Sequence, residues 1–164
     1  MLSTFLLGAS PDVVTWEILE PAVRDGRTPQ PAAQQQLVDI VRKLSREKPI
    51  AMKHSWTFPI AGGTTSWIGG KSGEGFHPET PQPTYSWYDG NRHGGHPAHD
   101  IFIPDRNHDN LHDHTDQPFY AVAMQPAVVI STNERWEPGK PRGGKYVWLY
   151  NNTLELFFYY AHLN

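Results

Sequence analysis

The chain contains no cysteine, which excludes disulfide bonds and thiolate-ligated zinc sites without fixing the compartment. No apolar run approaches the roughly 18 residues that a transmembrane helix needs. The formal net charge is −3 and the basic residues are dispersed, so the sequence offers no basic patch for nucleic acid. These absences leave a protein without a predicted membrane span or nucleic-acid partner.

Turn-forming residues are plentiful in a chain of 164 residues, with 15 prolines and 14 glycines. They favour short strands and frequent turns over a helical bundle. Six tryptophans, seven tyrosines and seven phenylalanines supply apolar area for a core. The length suits one domain with an extension. We predict an N-terminal extension over residues 1–47 and a β domain over residues 48–164.

The N-terminal extension carries one helical pattern, over residues 32–47. Leu37, Ile40, Val41 and Leu44 follow the spacing of a single helix face. Pro31 suits the first turn, and residues 24–31 are typical of a linker. The pattern predicts an amphipathic helix that packs against the main domain. The apolar residues 1–10 lack the basic region of a signal peptide.

Strand-like segments follow after residue 48. Residues 56–60 and 101–103 are short candidates, and two pairs of apolar segments flank candidate hairpin turns. The pairs are residues 119–123 with 127–130, and residues 145–150 with 154–160. Frequent turns between short strands predict a mainly β fold, built as an antiparallel sheet domain.

Six of the nine histidines lie between His93 and His114. His96 and Asp100 are separated by three residues, on a glycine-rich segment that precedes the strand-like residues 101–103. A neutral imidazole and a carboxylate are suitable zinc ligands, and the pair needs at least one further donor. His112 and His114 form an HxH pattern that offers such a donor on spacing alone.

A second metal is compatible with the segment from Asp105 to Asp116. Its oxygen donors Asp105, Asn107, Asp109 and Asp116 have the spacing of positions 1, 3, 5 and 12 of a Ca²⁺ loop. Asn110 replaces the glycine and Asp116 the glutamate of that pattern. We favour a solvated acidic loop and keep Ca²⁺ as an alternative.

Three segments together resemble the lysostaphin/LytM-type zinc metalloendopeptidases. They are WTFP from Trp56, HPAHDIFI from His96 to Ile103, and YYAHLN from Tyr159 to Asn164. The family carries an HxxxD motif and, later, a histidine at a YxHL-like strand end. The resemblance covers about residues 54–164 and implies a compact antiparallel β domain.

By this resemblance, His96 and Asp100 correspond to the first two zinc ligands and His162 to the catalytic histidine. It implies a Zn²⁺ ion that polarises the scissile carbonyl and lowers the pKa of its bound water. His162 would hydrogen-bond that water or the oxyanion. The implied substrate is peptide crosslinks of bacterial peptidoglycan, and the implied location is extracytoplasmic.

Two positions depart from the family pattern. Ala98 replaces the usual glycine before the aspartate, which leaves the ligand pair intact. The family's HxH motif supplies the third zinc ligand but has no counterpart between His162 and Asn164, and His112–His114 precede the YxHL element. We therefore expect weak zinc binding and little activity from this chain. The alternatives are an inactive peptidase-like binding or regulatory module and a calcium-stabilised interaction domain.

Overall fold

The computed structural model describes residues 16–69, 86–92, 98–137 and 143–164. Strands β1 and β2 form one antiparallel pair, and β3, β4 and β5 form a three-stranded antiparallel sheet in that order. Two short 3₁₀ segments cover Thr65–Trp67 and Trp87–Arg92. The elements are α1 (Trp16–Arg24), α2 (Gln30–Leu44), β1 (Ile68–Gly69), β2 (Asp100–Ile101), β3 (Val128–Asn133), β4 (Lys145–Asn151) and β5 (Leu156–Leu163).

The predicted helix is confirmed as α2, which begins two residues earlier and ends three residues earlier than expected. Helix α1 was not predicted, because Pro21 interrupts a segment without a clear period. Its buried residues Trp16, Leu19 and Val23 nevertheless follow helical spacing. Burial against the rest of the protein therefore outweighs the cost of an internal proline.

Both helices belong to the same hydrophobic core as the sheet. The helices contribute Trp16, Leu19, Val23, Ala33 and Ile40 as buried residues. Ile130, Trp148 and Phe157 of the sheet pack against them. Trp16 is the centre of this contact, with ring centroids 4.4 Å from Phe157 and 4.9 Å from Trp148. The segment predicted as an extension thus shares its core with the β domain.

The three-stranded sheet is covered on both faces. On one face Phe157 of β5 packs on Trp16 of α1 at 4.4 Å, and the partly exposed Tyr159 stacks on Trp148 at 4.4 Å. On the other face the ring of Phe158 contacts Trp56 at 6.1 Å, and the Tyr160 hydroxyl accepts a hydrogen bond from the Met124 amide at 3.0 Å. The alternation along β5 is what a strand with two covered faces requires.

One predicted hairpin is confirmed and the other is wrong. Strands β4 and β5 form the hairpin expected around residues 151–153. Residues 120–124 do not pair with β3 but run antiparallel to residues 57–61, with the bridge Ile60–Ala121 at the centre. The buried side chain of Gln125 accepts the Lys53 amide and donates to the Ser55 carbonyl. These bonds hold the chain where residues 120–124 end and the path to β3 begins.

The second 3₁₀ segment, Trp87–Arg92, packs against α1. Trp87 stacks on Trp16 at 5.4 Å, with an angle of 15° between the rings. Gly90 has φ +54°, and a Cβ there would collide with the carbonyl oxygen of Val23. Only glycine combines this backbone angle with so close an approach. Contact with α1 therefore positions the 3₁₀ segment Trp87–Arg92, which precedes His96 in the sequence.

The antiparallel pairing predicted from the sequence is confirmed, but the fold is not mainly β. Helix and strand contents of the described residues are about equal. One reason is the additional helix α1, and another is that the strands are short. Residues 57–61 form only an isolated bridge, because Pro59 cannot donate a ladder hydrogen bond. None of the described helices is long and apolar enough to cross a membrane.

Candidate functional site

His162 lies at an irregularity near the end of β5. Lys145 pairs with Leu163 and Val147 with Tyr160, so two residues of β5 stand opposite one residue of β4. This is a β-bulge, and His162 within it has φ +56°. A left-handed backbone costs a non-glycine residue about 1–2 kcal/mol. His108, Asn110, Asp116 and Glu155 also have a positive φ, so the combination of the bulge with exposure is what distinguishes His162.

The bulge interrupts the alternation of side chains along β5 at His162. Without the extra residue, His162 would share the face of Tyr160. Instead, its Nδ1 atom lies 3.7 Å from where a Cβ on Gly144 would stand, and Trp136 Cδ1 lies 3.1 Å from the same point. The His162 amide donates to the Gly143 carbonyl at 2.9 Å. His162 and Trp136 thus adjoin each other over Gly144.

Asp100 occupies the first position of β2, where its partner is Gly69 of β1. The structure therefore places Asp100 in the two-stranded sheet and His162 in the three-stranded sheet. His96 lies outside the described residues. Phe102, two residues after Asp100, donates its amide to the Trp67 carbonyl at 2.8 Å and extends the contact between these segments. Asp100 is thus the first residue of a strand, whereas the sequence predicted the strand to follow it over residues 101–103.

The donor chemistry of Asp100 and His162 suits zinc, but a site needs more ligands than these two. Across the described ranges, no group of three or more His, Asp or Glu side chains lies close enough to hold a metal ion. This finding concerns the described residues, and the proposed ligand His96 lies outside them. The assignment of Zn²⁺ to His96 and Asp100 remains a prediction.

The acidic loop from Asp105 to Asp116 is ordered by its own hydrogen bonds. The carboxylate of Asp105 accepts the amides of Asp109 and Asn110 at 3.1 and 2.9 Å. The carboxylate of Asp113 accepts the Arg106 amide at 3.0 Å. These contacts give the carboxylates a structural use that does not involve an ion. Calcium at this loop likewise remains a prediction.

The HxH pair within this loop is also engaged locally. The ring of His112 stacks on Phe119 with centroids 5.5 Å apart, and its Nδ1 accepts the His114 amide at 3.1 Å. The two imidazole centroids are 5.7 Å apart. His112 therefore helps to fold the loop onto the residue 119 segment.

A charged cluster lies at the C-terminal end of α1 and directly after it. Arg24 contacts Glu20 at 3.5 Å and Asp25 at 3.0 Å. Burial raises the pKa of the Glu20 carboxyl, while the charge of Arg24 opposes that effect. The hydrogen bond from Arg24 lowers the pKa of Asp25. Arg24 is thus already neutralised by two carboxylates.

Two tyrosines lie between this cluster and His162. The rings of Tyr146 and Tyr159 are 5.5 Å apart, and a Cβ on Gly143 would collide with the Tyr159 hydroxyl. Burial raises the pKa of Tyr159 to about 12, and Glu20 adds to the increase. Burial also raises the pKa of Tyr146. Both phenols are therefore protonated at neutral pH and serve as hydrogen-bonding groups.

A shallow groove of about 250 Å³ runs beside these residues, between α1 and the end of β3. Its lining includes Arg24, Trp136 and Tyr146. The sequence favours a sheet-packing role for Trp136, but the structure leaves its side chain 61% exposed beside this groove. The signal for an exposed Trp136 is its position in a polar stretch of the sequence, directly before Glu137 and a Pro-Gly pair. No signal in the sequence placed Arg24 opposite it.

Comparison with known proteins gives no match: no family model, curated protein or solved structure is similar to this chain at a significant level. The geometry around His162 and the motifs of the sequence are therefore the basis for a functional assignment.

Proposed function

We propose that the chain is a zinc-dependent endopeptidase domain of low activity that hydrolyses peptide bonds in bacterial cell-wall crosslinks and works outside the cytoplasm. The observation that carries the proposal is the β-bulge that holds His162 exposed, with φ +56°, next to Trp136. The resemblance of residues 54–164 to lysostaphin/LytM-type peptidases supplies the reaction. The bulge places His162 in its left-handed backbone conformation, and a catalytic role would explain why this conformation is kept.

In this proposal His96 and Asp100 are zinc ligands, and the bound ion supplies a Lewis acid for the scissile carbonyl. The His162 imidazole accepts a proton from the attacking water and donates a proton to the leaving amine as the peptide bond is hydrolysed. The hydrogen bond from the His162 amide to Gly143 fixes the backbone that carries the ring. Tyr146 and Tyr159 remain protonated and are available as hydrogen-bond donors to a bound peptide.

The first experiment measures Zn²⁺ affinity by competition with a chromophoric chelator. Asp100→Ala and His96→Ala should each weaken binding by about tenfold or more, as loss of a metal ligand does. His54→Ala is the matched control, because His54 is exposed and outside the proposed site. Unchanged affinity in both ligand variants would contradict the zinc assignment.

The second experiment separates the role of His162 from its contribution to folding. His162→Gly relieves the left-handed backbone that His162→Ala retains, so the glycine variant should be at least as stable as wild type. The low hydrolysis of crosslinked peptides by the wild type with added zinc should fall to the background rate in both variants. Wild-type hydrolysis in the glycine variant would contradict the catalytic role. Zinc-independent hydrolysis by the wild type would contradict the proposal as a whole.

A further inference from the structure

The basic residues are dispersed over the chain as a whole, but five of the 14 fall between positions 42 and 53, where Glu47 is the one acidic residue. All five are exposed: Arg42, Lys43, Arg46, Lys48 and Lys53. We infer that these residues, together with the β4–β5 turn beside them, form a basic surface that binds an anionic lipid bilayer. The inference does not depend on the proposed peptidase function.

The backbone of this basic surface is held by side chains from distant parts of the chain. The Asn152 amide donates to the Lys48 carbonyl at 3.2 Å, and its Oδ1 accepts the Ile50 amide at 3.0 Å. The buried Gln125 side chain accepts the Lys53 amide at 3.0 Å. Residues 48–53 therefore present their side chains from an anchored backbone, which lowers the entropy that is lost when they bind a partner.

Three large apolar side chains are exposed beside the basic residues. Met52 is 45% exposed, Trp56 50% and Leu156 43%. The Trp56 ring lies 6.1 Å from the Phe158 ring, and Leu156 lies two residues before Phe158 on the same face of β5. Apolar side chains that adjoin basic ones are typical of protein surfaces that lie in the headgroup region of a bilayer. Tryptophan is enriched in that region.

The positive charge of the basic surface is only partly neutralised within the protein. Arg42 pairs with Asp39 at 2.9 Å. In the part of the chain that the structure describes, no carboxylate lies within 4.0 Å of the side-chain nitrogens of Arg46, Lys48 or Lys53. Each basic residue near an anionic bilayer strengthens binding by about fivefold. The surface therefore complements the charge of such a bilayer.

A bilayer suits this surface better than a nucleic acid does. Proteins bind single-stranded nucleic acids through aromatic rings that stack on successive bases along a basic groove. Two of the three exposed apolar side chains, Met52 and Leu156, have no ring to stack on a base. They can insert at the boundary between headgroups and acyl chains, where apolar area adds to the attraction between charges.

The basic surface is separated from the region around His162. Leu156 and His162 lie at opposite ends of β5, and at the rise of a strand their separation in sequence corresponds to about 20 Å. Docking on a bilayer therefore uses residues other than those of the proposed active site.

The first test is co-sedimentation of the full chain with vesicles of phosphatidylcholine, alone or mixed with phosphatidylglycerol. Binding is expected only to the mixed vesicles. Raising the salt concentration from about 0.1 M to 1 M should weaken it at least about tenfold, because exposed charges are screened.

Two double variants locate the charges responsible. Lys48→Gln with Lys53→Gln should lower the partition coefficient by about 25-fold, or about fivefold for each charge removed. Arg106→Gln with Arg135→Gln is the matched control, because it removes two positive charges at exposed positions elsewhere. Its effect should stay below about twofold, since charges beyond the screening length contribute little.

The second test detects insertion through quenching of tryptophan fluorescence by brominated acyl chains in the mixed vesicles. Trp56→Phe should remove the quenching. Trp136→Phe should retain it, although Trp136 is also exposed.

Equal binding to both kinds of vesicle, or equal losses in the two double variants, would overturn the inference. Binding to single-stranded DNA as tight as that to the mixed vesicles, without quenching by brominated lipid, would identify a polyanion site and would overturn it as well. These measurements use neither zinc nor a peptide substrate, so failure of the proposed peptidase function would not alter their outcome.

Discussion

At the scale of single residues, the geometry around His162 depends on two adjacent glycines. Gly143 accepts the His162 amide and leaves room for the Tyr159 hydroxyl, while Gly144 adopts φ +58° and leaves room for Trp136. Side chains at either position would displace an aromatic ring from the neighbourhood of His162. The Gly-Gly pair is thus a packing requirement of the site and not only a turn.

Gly143→Ala should destabilise the protein by about 1–3 kcal/mol, the usual cost of inserting a methyl group into occupied space. The new Cβ would collide with the Tyr159 hydroxyl. Tyr159→Phe removes that oxygen, so the double variant should recover most of the loss. Urea unfolding of the two single variants and the double variant measures this coupling.

Gly62→Ala is the control for backbone strain without a collision, because Gly62 has φ +72° and a Cβ added there would meet no atom within 4 Å. Its cost should not change when Tyr159 is replaced by phenylalanine. Additive effects of Gly143→Ala and Tyr159→Phe would show that the collision is relieved in some other way.

At the scale of elements, the β4–β5 turn holds the end of α2. The Asn152 side-chain amide lies 3.4 Å from the Leu44 carbonyl and 3.2 Å from those of Glu47 and Lys48. Its Oδ1 accepts the Ile50 amide at 3.0 Å. The last carbonyls of a helix have no partners within it. One side chain from a distant hairpin therefore satisfies the end of α2 and the segment after it.

Asn152→Ala should lower the free energy of unfolding by about 1–3 kcal/mol, because it leaves part-buried polar groups without partners. Asn152→Asp retains the acceptor for Ile50 but places a negative charge near the C-terminal end of a helix, which is unfavourable. It should therefore not rescue stability. Equal stability of the wild type and the alanine variant in chemical denaturation would show that water replaces these hydrogen bonds without cost.

Neighbouring Asn151 gives a contrast within the same turn. Its Oδ1 accepts the amides of Thr153 and Leu154 at 2.9 and 2.7 Å, and its amide donates to the Pro126 carbonyl at 2.6 Å. Asparagine commonly forms such turns with the residues that follow it. The sequence could therefore predict the hairpin around Asn151, whereas the long-range role of Asn152 depended on where α2 ends.

At the scale of the whole molecule, the helices and the sheet share one core, so residues 48–164 should not fold alone. Leu19 is 1% exposed within this core, whereas the adjacent Ile18 is 58% exposed. Leu19→Ala should cost about 2–5 kcal/mol and Ile18→Ala close to zero. Thermal and urea unfolding of the two variants measures this difference.

The isolated fragment 48–164 lacks five buried core residues and should show no dispersed amide spectrum, since each such side chain contributes about 1.5–3 kcal/mol. A folded fragment would support the predicted boundary between residues 47 and 48 as a true domain boundary. Equal effects at positions 18 and 19 would contradict the shared core.

The stability of the molecule should also decline at alkaline pH in a manner that depends on Tyr159. Its pKa in the folded state is about 12, above the ordinary value of 10.0. The folded state thus retains a proton that the unfolded state loses. The contribution of Tyr159 is fully present below pH 10 and is lost as the pH rises toward 12. Tyr159→Phe should therefore flatten the decline in unfolding free energy over this range, and an unchanged slope would contradict the assignment.

The sequence by itself determined the features that depend on local patterns. The spacing of Leu37, Ile40 and Leu44 was sufficient for α2, because one apolar face at helical period favours one conformation. Asn151 between two apolar runs was sufficient for the β4–β5 hairpin. The HxxxD motif and the YxHL-like end were sufficient to single out Asp100 and His162, although the role of each remains a proposal.

Only the tertiary structure decided features that depend on distant residues. Helix α1 forms despite Pro21 because Trp16 packs between the sheet and Trp87. Residues 120–124 pair with residues 57–61 because Gln125 is buried against a segment about seventy residues away in sequence. The bulge at His162 and the groove beside Trp136 arise from register and from contacts across the sheet. Local propensity carries no information about either, because a shift of one residue in a strand exchanges its two faces without changing the sequence.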